Sequence, residues 1–161
     1  MITVSVDAYR AQLRLSNLPA KVRAALQVKR TALMLQLEAK AKGNAPVGPS
    51  NPTHTGGQLR RSIFSEATDT ATTVEGKVAT GADTPYARIQ ELGGKTKAHE
   101  IVARNGKALA FQMGGKTVFF RRVNHPGSNI EGQFYMKRAF DDMRQEIVAG
   151  LTAAARGAAK E

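Results

Sequence analysis

The sequence contains no cysteine. The chain therefore has no disulfide scaffold, no thiolate metal site and no cysteine nucleophile. It also lacks any apolar run near the ~20 residues that a membrane-spanning helix needs, so we expect no contact with a membrane. The first residues, 1–7, show no basic region followed by an apolar one, and they are not predicted to be a secretory signal peptide.

Acidic residues are scarce. The chain has 13 Asp and Glu against 24 Lys and Arg, which leaves a net charge of +11. The excess lies in residues 21–42 and 95–122, and the remaining residues sum to zero. Such focused charge attracts polyanions or acidic protein surfaces. The alternative is that both segments form solvated basic faces that only keep the protein soluble.

The 161 residues predict a single domain, 1–161, long enough to bury a core. Alternating apolar residues predict a strand over 2–6, and a short helix is expected around Ala8–Leu15. A long helix follows over Pro19–Lys42, with Lys29 interrupting its apolar face. The residues of that face are Val22, Ala25, Leu26, Leu33, Leu37 and Ala41.

Residues 45–58 are rich in Pro, Gly, Ser, Thr and Asn, and they predict a long loop. Loops of this length in a compact domain are usually functional or disordered. Strands are then expected over Leu59–Thr68 and Val74–Thr80, joined into a hairpin by a polar turn. A short helix is expected over Pro85–Leu92, closed by Gly93-Gly94.

The clearest β pattern lies in the region 95–123. The runs Lys107–Met113 and Lys116–Val123 are rich in apolar residues and flank Gly114-Gly115, which is typical of a β-hairpin with a two-residue turn.

The last helix is predicted over Phe134–Leu151, where apolar residues recur every third or fourth position. The Ala-rich tail, 152–161, is expected to fray. Together these elements predict an α+β fold. We expect a small, mostly antiparallel sheet with a projecting β-hairpin, packed against a long N-terminal helix and a C-terminal helix.

Patterns for nucleotide binding are weak. The sequence Gly-Gly-Lys-Thr occurs at 93–96 and 114–117. A phosphate-binding loop also needs an earlier glycine, and those positions hold Ile89 and Ala110. The second copy also leads into a predicted strand where such a loop requires a helix. Two coincident turns are the better interpretation.

The histidines, His54, His99 and His125, do not have the local spacing of metal ligands. A Ser–His–Asp arrangement stays open, because its members are distant in sequence, although no Gly-x-Ser-x-Gly elbow is present. Asp141-Asp142 and Glu146 fit the polar face of the last helix better than a catalytic carboxylate pair. We therefore expect no enzyme, no cofactor and no metal, and we assign no catalytic, cofactor-binding or metal-binding residue.

Two aromatic residues, Phe119 and Phe120, are followed directly by two basic ones, Arg121 and Arg122. Strands of this composition can stack bases and hold phosphates. Adjacent strand residues point to opposite faces, however, so the four side chains do not share one surface. The segment is equally suited to contact with a protein.

Three motifs occur in order along the chain. The first is Ala45-Pro46-Val47 followed by Thr55-Gly56-Gly57-Gln58-Leu59-Arg60-Arg61-Ser62-Ile63. The second joins Tyr86-Ala87 to Glu91-Leu92-Gly93. The third is His125-Pro126-Gly127 followed by Phe134-Tyr135-Met136-Lys137-Arg138-Ala139-Phe140.

These motifs, over about residues 19–148, resemble the tail-completion (tail-component, head–tail joining) family of tailed bacteriophages. The strands Lys107–Phe111 and Val118–Arg121 resemble the hairpin of that family. This chain departs from the pattern in two places. Residues 48–54 separate the pieces of the first motif, which are normally almost adjacent, and Gln133-Phe134 stands where a Pro-Phe pair is usual.

The resemblance implies a structural virion protein at the head–tail junction, or neck. It would form a ring, expected to be hexameric, that completes the tail and connects it to the portal around the DNA channel. The implied partners are further copies of the chain, portal-side connector, adaptor or stopper proteins, the tail tube or tail terminator protein, and DNA in the channel. The protein would be assembled in the bacterial cytoplasm and found in the virion.

Two alternatives stay open: a tail terminator or morphogenesis factor of the same particle, and a stand-alone nucleic-acid-binding protein. If the resemblance holds, basic side chains are candidates for the channel lumen or for contacts between subunits. These candidates are Lys95, Lys97, Arg104, Lys107, Lys116, Arg121, Arg122, Arg60 and Arg61.

Overall fold

A computed structural model of the protein describes residues 4–5, 8–14, 19–48, 56–70, 73–103 and 106–160. Helices and short antiparallel sheets are both present, which confirms the α+β class. The elements, in chain order, are β1 (Val4–Ser5), β2 (Ala8–Arg14), α1 (Ala20–Asn44), α2 (Gln58–Ser62), β3 (Ile63–Asp69), β4 (Thr73–Thr80), α3 (Ala87–Leu92), β5 (Gly93–Lys95), β6 (His99–Val102), β7 (Leu109–Met113), β8 (Lys116–Phe120), β9 (Arg122–His125), β10 (Asn129–Glu131) and α4 (Tyr135–Lys160).

The chain divides into two compact units. Residues 1–92 and 132–161 form the first, here called the helical unit. Residues 93–131 form the second, here called the ribbon unit.

The helical unit is built on the pairing of α1 with α4, and α1 also packs on β3 and β4. Its antiparallel sheet has the strand order β1-β2-β4-β3. One face of β4 is buried against α1, as the alternating burial of the strand requires. The core cluster comprises Leu33, Met34, Leu37, Ala41, Ala45, Leu59, Ile63, Val78, Ala87, Tyr135, Met136, Ala139, Phe140, Met143 and Ile147.

Helix α1 begins just after Pro19, which suits a helix start, and ends at Asn44. The prediction of a long helix is confirmed, and most of its predicted apolar face is buried. Two details of that face were wrong. Ala25 is only half-buried, and the charged residue within the buried face is Arg30 and not Lys29.

The segment predicted as a short helix around Ala8–Leu15 is the strand β2. It pairs with β4 along its whole length, from Ala8 opposite Ala79 to Arg14 opposite Thr73. The backbone groups of this segment therefore find partners in a strand about 60 to 70 residues later in the chain, and that pairing outweighs the local pattern.

The predicted strand over Leu59–Thr68 begins too early. Gln58–Ser62 form the short helix α2, which starts after Gly57 in a left-handed conformation (φ 84°), and only then does β3 begin. The predicted β3–β4 hairpin is confirmed. Helix α4 continues to Lys160, through the tail that was expected to fray. None of the helices in the described ranges is long and apolar enough to cross a membrane.

The ribbon unit consists of three antiparallel ladders that follow one another along the same two stretches of chain. Strand β5 pairs with β10, β6 with β9, and β7 with β8. The last pair is the predicted Gly-Gly hairpin, and both Gly114 (φ 56°) and Gly115 (φ 76°) adopt the positive φ that its turn needs. Its second strand ends at Phe120, because Arg122–His125 pair with β6.

Candidate functional site

Glu91 connects the second motif to the third. It is the second-to-last residue of α3 and is 3% exposed. Its Oε2 accepts the backbone N–H of Met136 and its Oε1 that of Lys137, each at 2.9 Å. The first N–H groups of a helix lack intrahelical partners, and the helix dipole favours an anion beside them. Glu91 therefore caps α4 from a remote position in the chain.

Tyr135, the first residue of α4, lies beside this cap and is 1% exposed. Its hydroxyl donates to the carbonyl of Ala87 at 3.5 Å. Burial, together with the negative charge of Glu91 and the neighbouring Tyr86, raises the pKa of Tyr135 to about 12. The Asn44 amide donates to the Tyr135 carbonyl at 3.4 Å, which ties the end of α1 to the start of α4.

The first motif surrounds the C-terminal end of α1. Ala45 and Leu59 are both in the core. The Arg60 guanidinium donates to the Ala45 carbonyl at 3.5 Å, and the Arg61 guanidinium donates to the Gly56 carbonyl at 3.0 Å. Arg60 and Arg61, two of the predicted site residues, thus donate hydrogen bonds to backbone carbonyls. These bonds stabilise α2 against the end of α1.

The ends of the long loop meet. A Cβ on Gly56 would collide with the Gly48 carbonyl oxygen, so only glycine allows the two backbones to come this close. Residues 49–55 of the predicted loop, with His54, lie outside the described residues. Beside the loop ends is a groove of about 410 Å³, lined by residues in or next to the first and second motifs: Pro46, Val47, Gly48, Gly56, Gly57, Gln58, Leu59, Tyr86 and Gln90.

The other predicted site residues belong to the ribbon unit, and Arg104 among them lies outside the described residues. The rest are exposed on several strands and loops: Lys95, Lys97, Lys107, Lys116, Arg121 and Arg122. Arg122 pairs with Glu100 across the β6–β9 ladder at 3.4 Å. Exposed pairs of this kind contribute about 0–1 kcal/mol. The charge of the ribbon unit is therefore mainly available for interaction.

His99 and His125 lie opposite each other on β6 and β9, and their rings stack at 5.1 Å. The Nδ1 of His125 accepts the Gly127 N–H at 3.0 Å, and the Nδ1 of His99 is 3.1 Å from the Lys97 carbonyl. A zinc site needs three or four ligands. Within the described ranges no group of three potential ligands is found.

Two acidic residues of α4, Asp141 and Asp142, form surface ion pairs. Asp141 is 2.5 Å from the Lys137 ammonium, and Asp142 is 3.1 Å from that of Lys40. All of these side chains are exposed, as expected for a polar helix face. Both Gly-Gly-Lys-Thr copies lie in or beside β-ladders, at β5 and at the β7–β8 turn.

Sequence reasoning missed Arg30, which is 7% exposed. Its guanidinium Nη1 donates to Asp69 Oδ1 and, at 3.0 Å, to the Glu75 carbonyl, while Gln27 donates to Asp69 Oδ2 at 2.8 Å. Burial alone would raise the pKa of Asp69, but the bonds from Arg30 and Gln27 outweigh it and hold that pKa below its usual value. Arg30 lies four residues after the buried Leu26, and this helical spacing was the sequence signal that places it on the core-facing side of α1.

The motif residues described above stabilise the fold: Glu91 caps α4, Tyr135 joins α4 to the end of α1 through Asn44, and Arg60 bonds to the Ala45 carbonyl. The groups left for binding are the exposed basic side chains and a set of exposed apolar side chains, among them Phe111, Met113 and Phe119. The chain matches no protein-family model, no curated protein and no solved structure.

Proposed function

We propose that this chain is a structural subunit of a tailed-phage particle, placed at the head–tail junction. Copies form a ring, expected to be hexameric, that completes the tail and joins it to the portal side around the DNA channel. Its neighbours are connector, adaptor or stopper proteins on one side and the tail tube or terminator protein on the other. It is assembled in the bacterial cytoplasm and stays with the virion.

The observation that carries this proposal is the set of three ordered motifs together with their physical roles in the helical unit. Glu91 of the second motif caps the helix of the third, and Tyr135 of the third bonds to Ala87 of the second. Ala45 and Arg60 of the first motif hold the end of α1. The resemblance therefore rests on residues that specify one three-dimensional arrangement, which is a stronger basis than separate short turns.

Exposed charge supports the same proposal. A ring subunit must contact neighbouring rings or DNA, and the basic side chains described in the ribbon unit are exposed, with Arg122 in a surface pair with Glu100. Positive surfaces of this kind attract acidic proteins and phosphate backbones.

The test is to delete the coding sequence from the phage or prophage that carries it and to image the resulting particles by electron microscopy. We expect filled heads and separate tails that do not join, with joining restored when the chain is supplied from a plasmid. Gold-labelled antibody against the chain should bind at the neck of wild-type particles. Normal infectious particles from the deletion would overturn the proposal.

A nucleic-acid-binding protein is the second candidate, because Phe119 and Phe120 are 68% and 45% exposed next to Arg121 and Arg122. Fluorescence anisotropy with a labelled DNA duplex separates the two functions. Tight binding by the isolated chain that weakens steeply with salt favours this candidate. Weak binding at physiological salt, with labelling at the particle neck, favours the virion subunit.

A further inference from the structure

The β7–β8 hairpin presents five apolar side chains on one side, here called the hairpin face. The register of the two strands and the alternation of strand side chains place them together. Met113, beside the turn, is 65% exposed, and Phe111 and Phe120 are 39% and 45% exposed. The hairpin face consists of Leu109, Phe111, Met113, Val118 and Phe120.

The hairpin face is not covered within the ribbon unit. None of the described residues of this unit is buried, and its ladders are two-stranded. A two-stranded hairpin is at best marginally stable in water unless a further strand or a packed surface covers its apolar side. A partner that covers the hairpin face therefore removes apolar surface from water and stabilises the hairpin.

Basic side chains bound the hairpin face at both ends. Lys116 lies directly opposite Met113 at the turn. At the other end, Lys107 lies just before β7 and Arg121 directly follows β8. All three basic side chains are exposed. Residues 101–130 contain no Asp or Glu, so this segment supplies no carboxylate to balance them.

We propose that the hairpin face docks on an acidic surface of a neighbouring protein, with an apolar centre and carboxylates at both ends. Five residues of strand separate Lys116 from Arg121, which is about 17 Å at the strand rise, and the partner carboxylates lie at about that spacing. Burial of the apolar centre supplies the affinity, and the charged ends set the orientation. The partner rests on the proposed function, because a neck ring contacts other virion proteins.

Two other occupants fit the hairpin face less well. A second copy carries a net charge of +11 and the same basic ends, so the like charges oppose its approach. Nucleic-acid bases stack on the flat faces of aromatic rings. Here, however, Leu109, Met113 and Val118 are aliphatic, and the rings of Phe111 and Phe120 are tilted by 49° to each other. The apolar part of the face therefore favours a protein.

Three synthetic helical peptides test this chemistry on the full chain. The first carries a leucine ridge with glutamates at both ends, about 11 residues apart, which is about 17 Å at the helical rise. The second has lysines in place of the glutamates, and the third has glutamines in place of the leucines. Fluorescence anisotropy should show that the first peptide binds about tenfold or more tightly than either of the others.

Substitutions in the hairpin locate the binding. Met113→Gln should weaken binding of the acidic peptide about tenfold, because it places an unpaired amide in the apolar contact. Phe119→Gln, on the opposite face and 68% exposed, is the matched control and should bind like the wild type. Lys116→Glu should weaken binding of the acidic peptide and strengthen binding of the lysine peptide, a reversal that a general loss of folding does not produce.

Equal binding of the acidic and lysine peptides, no binding of the acidic peptide, or equal losses for Met113→Gln and Phe119→Gln would each overturn the proposal. A labelled single-stranded DNA is the further probe, and Met113→Gln should leave its binding unchanged. If this substitution weakens DNA binding as much as peptide binding, the face belongs to nucleic acid and the proposal is wrong.

Photo-cross-linking separates this contact from the proposed function. A photoreactive phenylalanine analogue at position 111 should cross-link, in phage particles, to an acidic and apolar segment of another virion protein, and the same analogue at position 119 should not. A chain that is absent from particles but selects the acidic peptide supports the contact and overturns the proposed function. A chain that labels the particle neck but fails the peptide tests overturns the contact alone.

Discussion

The Glu91 carboxylate accepts the backbone N–H of Met136 at 2.9 Å, although the two residues lie 45 positions apart in the chain. The bond, with its partner to the Lys137 N–H, fixes the end of the short helix α3 against the start of α4. Since α4 supplies six of the buried core side chains, the position of this cap determines how a large part of the core is aligned.

Glu91→Ala should lower the free energy of unfolding by about 2–4 kcal/mol. The substitution leaves two N–H groups of α4 without their acceptor, the first of them buried, and removes a carboxylate from the positive end of the helix dipole. Glu91→Gln should lose less, because the amide oxygen still accepts one of the two bonds. Urea denaturation followed by circular dichroism measures both changes.

The matched control is Glu66→Ala. Glu66 is exposed and forms only a surface pair with Lys77 at 3.4 Å. Its removal should change the unfolding free energy by less than about 1 kcal/mol. Equal losses for Glu91→Ala and Glu66→Ala would show that the cap contributes nothing beyond an ordinary surface carboxylate.

The sequence predicted the elements whose pattern is local. Helix α1 and the hairpin at Gly114-Gly115 follow from helical spacing and from a turn type that demands positive φ. The strand Ala8–Arg14 was missed because its backbone becomes a strand only by pairing with β4. The Glu91 cap was missed for the same reason, since its partner is encoded far along the chain and leaves no local pattern.

The charged residues also differ in how far the sequence alone predicts their roles. The sequence located the basic segments, but it did not separate side chains that interact with solvent from those that hold the fold. Arg30 is buried against Asp69, whereas Lys116 and Arg121 are exposed. Burial depends on which face of an element meets its neighbour, and a single charged residue within an apolar stripe is ambiguous until that face is known.

Gly76→Ala should be destabilising by about 1–3 kcal/mol, because it overpacks the contact between β4 and α1. An added Cβ would lie 2.5 Å from Met34 Sδ and 3.2 Å from Arg30 Cδ, so both side chains would have to move. Gly157→Ala is the control within α4, where an added Cβ meets nothing within 4 Å. That variant should gain up to about 1 kcal/mol from helix propensity. A destabilised Gly157→Ala, or an unaffected Gly76→Ala, would contradict this packing.

Asp69 should make the protein sensitive to acid. Its pKa in the folded chain is held below the ordinary 3.8 because Arg30 and Gln27 outweigh the effect of burial. A carboxyl with a lowered folded pKa contributes stability above its unfolded pKa, and that stability is lost as the pH falls through the folded value. Asp69→Asn should therefore be less stable than wild type at neutral pH and should lose less on acidification. Urea midpoints measured from neutral to acidic pH test this, and Asp142→Asn, at an exposed pair, should retain the wild-type slope.

Tyr135 should make the protein lose stability at alkaline pH, whereas Asp69 acts at acidic pH. Burial, with the nearby Glu91 and Tyr86, raises its pKa from 10.0 to about 12. The unfolded chain ionises this phenol first, so the stability contributed by the neutral form is complete below the unfolded value and is lost as the pH rises through the folded one. Tyr135→Phe should flatten the loss of stability in this alkaline range.

Tyr86→Phe, at a side chain that is 39% exposed, is the control and should leave the alkaline slope nearly unchanged. Ultraviolet titration should show one late phenol in the wild type that is missing from Tyr135→Phe. If all phenols of the folded chain ionise together near their ordinary value, Tyr135 is not buried as described.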